Sequence, residues 1–227
     1  MDQNFVTRTF LEENRVQKRF QIESDLREFI TSNLSENTVF WDIGACVGNF
    51  SIFAAHTGSR VLSFEPDGLT YSSLIANIYN SKLDNVSAFP IALGSNDKIS
   101  DFYMKKFEIA NAYNTVGNAI GPNGEIFSPA YSQNIVEFQA YTLIEKFDFE
   151  IPTHLKIDVD GNEIEVLKGF KDLLKSEKIK AIFIEIDFLN PNGVAADQII
   201  QKSGFEKQFN STHNFHGIAN YIYYRQK

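Results

Sequence analysis

The chain has 227 residues, 43% of them hydrophobic and 22% charged, with 29 acidic against 21 basic side chains and a formal net charge of -8. This length and apolar content suit one packed domain and exclude a disordered chain. The acidic balance argues against general affinity for nucleic-acid backbones, and a lone cysteine, Cys46, makes no intrachain disulfide.

Residues 1–20 carry charge throughout with no apolar h-region, so no signal peptide is expected. Nothing approaches the roughly 20 apolar residues of a membrane span. A cytoplasmic protein is expected, with neither membrane nor nucleic acid as partner; the oligomeric state stays open. Residues 22–34 put Ile22, Leu26, Phe29 and Ile30 on one helical face. Residues 1–35 therefore read as a helical lead-in and 36–227 as the main domain.

Strand and helix patterns then alternate. "TVFWDIG" (38–44) reads as a strand and 49–57 as a helix C-capped by Gly58. "RVLSFEP" (60–66) is a second strand, and a helix over 68–80 presents Tyr71, Leu74, Ile75 and Ile78. "NVSAFPIALG" (85–94) is a third strand and "HLKIDVDG" (154–161) a fourth. The helix in 162–176 turns Ile164, Leu167, Phe170 and Leu174 inward. "KAIFIEID" (180–187) is a fifth strand, "AADQIIQKSG" (195–204) a helix, and "FEKQF" with "ANYIYYR" two closing strands. The pattern predicts an α/β fold: a mostly parallel seven-stranded sheet, helices on both faces, and an antiparallel edge hairpin. Residues 105–135, rich in Gly, Asn and Pro, show no period and read as a substrate lid.

The first strand–turn–helix of such a sheet is a ligand site by geometry. Here it reads D-I-G-A-C-V-G, one glycine short of a dinucleotide fingerprint, with an acid ahead of the turn. An acid there repels a pyrophosphate and suits an ammonium or sulfonium, as in S-adenosylmethionine. Glu65, 23 positions after Asp42, closes the second strand where a carboxylate can accept from both ribose hydroxyls. N–H groups around Gly48 and Asn49 open a helix and offer a seat for a carboxylate.

"DIGACVG", "SFEPD", "IALG" and "LKIDVDGNEIEVLKGF", in that order over about residues 36–189, resemble the FkbM family of S-adenosylmethionine-dependent methyltransferases. The resemblance implies a class I, Rossmann-like fold and methylation of a hydroxyl on a sugar, glycan or polyketide-type product. N-methylation of a peptide or small molecule is the alternative, as is a cofactor-binding scaffold without turnover. It implies Asp42, Gly44 and Gly48, with Ala45, Cys46 and Asn49, at the methionine end of S-adenosyl-L-methionine, and Glu65 on the ribose. Pro66 and Asp67 fall near the adenine, and Ala92 and Leu93 cover its other face. The family usually carries Asn where this chain has Cys46.

A base helps when the acceptor is a neutral hydroxyl. Asp158 and Asp160 are the first candidates, since period-two alternation puts both on one face of the fourth strand. Glu185 gives the neighbouring strand an acidic end and is the third. Glu163 reads as a helix-start charge and Lys156 as a structural partner for an acid. No metal is assigned. His213 and His216 read as loop residues with a low claim to base chemistry.

Overall fold

The computed structural model describes residues 23–112, 114–121, 125–208, 214–215 and 218–226. Helix α1 (Ser24–Asn33) buries Leu26, Phe29 and Ile30; Ile22 lies outside the described residues. Parallel strands β1 (Val39–Ile43), β2 (Arg60–Phe64) and β3 (Val86–Phe89) step outward from the middle of the sheet to one edge, and β8 (His154–Ile157) later pairs parallel on the other side of β1. Helix α2 (Asn49–Ala55) links β1 to β2, and α3 (Gly68–Ser81) links β2 to β3. After α5 (Glu163–Phe170) come β9 (Ala181–Asp187), α6 (Pro191–Lys202), β10 (Phe205–Gln208), β11 (Asn214–Phe215) and β12 (Ile218–Arg225).

Seven of these strands lie in the order β10-β12-β9-β8-β1-β2-β3, and the short β11 pairs with β12. The α/β sheet with helices on both faces is as predicted. β12 runs antiparallel between β9 and β10, so β10 forms that edge of the sheet and β3 the other. The central strands are apolar on both faces because helices cover both. Phe40 packs with Leu26, Phe29 and Val61 under α1 and α2, whereas its neighbour Trp41 packs with Leu155, Leu167 and Phe170 under α5.

Several elements differ from the sequence expectation. The third predicted strand breaks at Pro90: β3 stays in the main sheet, and β4 (Ala92–Leu93) joins a second sheet. That four-stranded sheet, in the order β4-β7-β5-β6, contains β5 (Lys98–Met104), β6 (Thr115–Val116) and β7 (Tyr131–Phe138), and α4 (Ala140–Phe147) follows it. The segment expected as a periodless lid is thus tied down by β6, by the start of β7 and by an Ile120–Ile126 bridge. Helix α3 buries Thr70, Ser73, Leu74 and Asn77; of the predicted apolar stripe Leu74 is buried, Tyr71 and Ile78 are half-buried, and Ile75 is 43% exposed. Its polar face is inward because Asn77 Nδ2 donates to the Val47 carbonyl and Thr70 serves the site described below. Helix α6 begins four residues earlier than expected, with Asn190 accepting from the Asn192 N–H and Pro191 at the first helical position. Helix α2 ends at Ala55, and Gly58 (φ +88°) closes the turn after it.

Candidate active site

The strands β1, β2 and β8 end side by side, and the loops beyond them enclose a cleft of about 770 Å³, measured to its open mouth. The turn after β1 is built on two glycines. Gly44 (φ +79°) lies so close to the end of β8 that an added Cβ would collide with the Asp158 carbonyl oxygen. Gly48 (φ +91°) begins α2, where a Cβ would stand 2.6 Å from the Leu74 side chain. Both positions need a residue without a side chain.

Asp42 does not line the cleft. It stands opposite Lys156 on one side and Ser63 on the other in the strand register. Lys156 Nζ is 3.0 Å from Asp42 Oδ1, and Ser51 Oγ donates to Asp42 Oδ2 at 2.6 Å. The same ammonium donates to the Gly44 carbonyl at 2.8 Å and lies 3.6 Å from Asp158. One buried cation therefore ties the acid of β1, the glycine turn and the acid after β8 together. Sequence reasoning treated Lys156 as a structural partner and placed Asp42 on the cofactor; the structure puts both beneath the turn.

Glu65 lines the cleft. Its Oε2 accepts from the Cys46 N–H at 3.0 Å and its Oε1 from the Asp67 N–H at 2.9 Å. Burial pushes its carboxyl up to about 7, despite those two donors. Each oxygen retains acceptor capacity for a ligand hydroxyl. Asp67 caps α3 through the Leu69 N–H and accepts from Thr70 Oγ1, which in turn accepts from the Ala110 N–H at 3.0 Å. A hydrogen-bonded chain thus runs from the glycine turn to residue 110. Ile109 and Ala110 pack on Val47 and close this side of the cleft.

Pro66 and Asp67 form one wall, and Ala92 and Leu93 another. A smaller cavity continues from Gly44, Ala45 and Cys46 to Asn49 and Lys156. Asp158 and Asp160 line the same cleft. β8 ends at Ile157, so both acids leave from the following loop and not from one face of a strand. Asp160 takes a left-handed backbone (φ +52°), a conformation that aspartate adopts more readily than most side chains. Glu163 clamps this loop by accepting from the N–H groups of Val159 and Gly161, and burial raises its carboxyl to about 7.

Glu185 is not in the cleft. It lines an adjoining cavity that it shares with Asp160 and Glu163. His213 and His216 lie outside the described residues. Among the described residues, no three His, Cys, Asp or Glu side chains are grouped to hold a metal ion. Thr70, Asn111, Asn114 and Asn162 also line the cleft without having been singled out. Only Thr70, three residues after a capping Asp, left a local signal; the asparagines are brought in by the second sheet and the α5 start.

The architecture is shared with solved methyltransferase structures. Precorrin-6y C5,15-methyltransferase from Geobacter metallireducens superposes with a TM-score of 0.57 at 15% identity, covering 100% of this chain and 96% of that one. Magnesium protoporphyrin IX methyltransferase (ChlM) from Synechocystis PCC 6803, solved with bound SAM, gives 0.55 at 11% identity over 97% and 86%. The sheet order and the cleft at its carboxyl edge define a class I, Rossmann-like methyltransferase fold.

The profile described as "Methyltransferase FkbM domain" matches residues 42–210, and the chain belongs to this family of S-adenosylmethionine-dependent methyltransferases. The hexuronic acid methyltransferase AglP of Haloferax volcanii is 27% identical over 165 residues, 72% of this chain and 62% of that protein. The chain thus spans less than two thirds of that relative's length. Methyltransferase sdnD of Sordaria araneosa is 25% identical, with 77% of this chain and 76% of that protein covered.

Proposed function

We propose that the chain uses S-adenosylmethionine to O-methylate a hydroxyl on a sugar, glycan or polyketide-type acceptor. The observation that carries this reading is that Glu65, anchored by two backbone N–H groups, and Asp160 line one cleft. The cofactor would supply an electrophilic methyl on a sulfonium.

In this reading Glu65 accepts from the ribose hydroxyls, and Pro66, Asp67, Ala92 and Leu93 flank the adenine. The bare backbone at Gly44, Ala45 and Cys46 admits the methionine end toward Asn49. Asp42 acts through Lys156, holding the Gly44 carbonyl and the Asp158 carboxylate in place. Gly48 fixes the start of α2 behind them. Asp160 lines both the cleft and the cavity beyond it, so one of its carboxylate oxygens takes the acceptor proton, while Glu185 acts on the acceptor from the adjoining cavity. Positioning the acceptor supplies most of the acceleration, and proton removal the rest. Residues 105–135 serve as the acceptor lid. The sugar-type acceptor is supported by the name of the Haloferax volcanii relative.

The test is calorimetric titration of the protein with S-adenosylmethionine, S-adenosylhomocysteine and NADH, beside Glu65→Ala. Micromolar binding of the first two, lost in the variant, is expected. Binding of NADH alone would overturn the reading.

A further inference from the structure

Beyond Asp160 a second cavity opens, of about 640 Å³ including its mouth. Three separate regions supply its walls: Asn118 from the segment after β6, Asn162 from the start of α5, and Asn190 with Asn192 from the start of α6. Ile120 adds an apolar patch. Among the described lining residues the charged one is Asp160, which also lines the main cleft.

We infer that this cavity is the acceptor subsite and that it takes a neutral polyol, such as an unmodified hexose unit, in preference to a uronate. The inference rests on the methyltransferase reading above. A side-chain amide carries a donor and an acceptor face, and a sugar hydroxyl both donates and accepts, so amides from three elements match a hydroxyl array. Ile120 suits the C–H face of a pyranose ring. A carboxylate is held best by a cation, and none of the described residues lining this wall carries one. At the start of α6 the backbone donors are taken, the Asn192 N–H by Asn190 Oδ1 and the Gly193 and Val194 N–H groups by the Asn190 carbonyl, and in the loop before α5 Glu163 Oε1 accepts from the Val159 and Gly161 N–H groups. Asp160, with Glu163 and Glu185 behind it, repels a second carboxylate. Asp160 thereby places a polyol hydroxyl at the junction of the two cavities.

The experiment is saturation-transfer NMR on the protein with S-adenosylhomocysteine in excess. The probes are the methyl glycosides of glucose, mannose and galactose, and methyl glucuronoside. Transfer to at least one neutral glycoside and none to the uronoside is expected. Asn118→Lys and Asn192→Lys, at two exposed positions, each bring a cation to the wall and are expected to raise uronoside affinity about tenfold, the scale of one charge-assisted contact. Calorimetry with S-adenosylhomocysteine on the same samples reports cofactor binding and integrity. Stronger transfer to the uronoside in the unaltered protein, or none to any neutral glycoside while S-adenosylhomocysteine binds, overturns this inference alone. Absence of S-adenosylhomocysteine binding overturns the methyltransferase reading and this inference with it.

Discussion

Asp42 and Lys156 stand opposite each other in the register of β1 and β8, and their charges meet at 3.0 Å with side chains 1% and 4% exposed. Removing one partner of such a pair strands the other charge in the core, at a cost of about 3–5 kcal/mol. Lys156→Met is expected to lower stability by about that amount in urea titration and to weaken S-adenosylhomocysteine binding by releasing the Gly44 carbonyl. Adding Asp42→Asn to it should recover part of the loss. If the two substitutions instead add, the pair is not coupled.

Glu65 offers a pH test of the ribose role. Burial holds its carboxyl at about 7, above the ordinary glutamate value of 4.5, whereas hydroxyl donors on a ligand favour the ionised form. Binding therefore favours loss of the proton, and affinity should rise with pH through about 7 and level off above it. About one unit below that value the loss approaches tenfold. Calorimetry between pH 6 and 8 measures this. Glu65→Gln should bind more weakly with a flat profile, and a flat profile in the unaltered protein removes Glu65 from the ribose.

Acid stability should depend on His154. Burial, with Lys180 adding to it, lowers its pKa from 6.5 to about 4, and its Nδ1 is paired with Thr153 Oγ1. The folded state binds this proton less readily than the unfolded chain. The histidine's contribution is therefore fully present above about 6.5 and is lost as pH falls toward 4. His154→Gln is expected to flatten that limb of the stability profile, followed by circular dichroism. The buried Glu65 and Glu163 act in the opposite sense, since their raised pKa values cost stability as pH rises from 4.5 to about 7.

Cys46 carries a left-handed backbone (φ +53°), where asparagine is favoured and cysteine is not. Its N–H donates to Glu65 regardless of side chain. Cys46→Asn should raise stability by about 1 kcal/mol and leave S-adenosylhomocysteine affinity unchanged. A lower melting temperature would show that the thiol's packing beside Val47 and Ile109 matters more than the strain.

The two acids after β8 should separate kinetically once an acceptor is in hand. Asp160→Asn is expected to lower kcat by roughly 10²–10⁴, the usual span for a lost general base, with S-adenosylhomocysteine affinity within about twofold. Asp158→Asn alters the surroundings of Lys156 and should weaken cofactor binding as well. Equal kcat in Asp160→Asn and the unaltered protein would end its assignment as base.

Much of this was legible in the residues. The alternation of apolar runs with 3.6-residue periods marked the parallel sheet, because strands and helices that bury themselves locally leave a local period. The buried face of α5 was read correctly from Ile164, Leu167 and Phe170, and Leu174 is buried in the 3-10 turn that follows at Lys171–Lys175. Asp42, Gly44 and Glu65 stood out because a tight turn and an acid at a strand end are short-range features.

Other features depend on partners far away in the chain. β5 and β7 went unread because they pair with each other across the lid and leave Ile99 and Val136 exposed, which blurs the period of two. The inward polar face of α3 looks wrong until Val47 and Ala110 arrive to accept and donate. The sequence by itself determined the sheet class and the acids at its carboxyl edge, through periodicity and turn chemistry. Only the tertiary structure decided that Asp42 serves Lys156 beneath the turn, that Glu185 sits outside the main cleft, and that asparagines from three elements line one cavity, because each depends on long-range packing that leaves no local pattern.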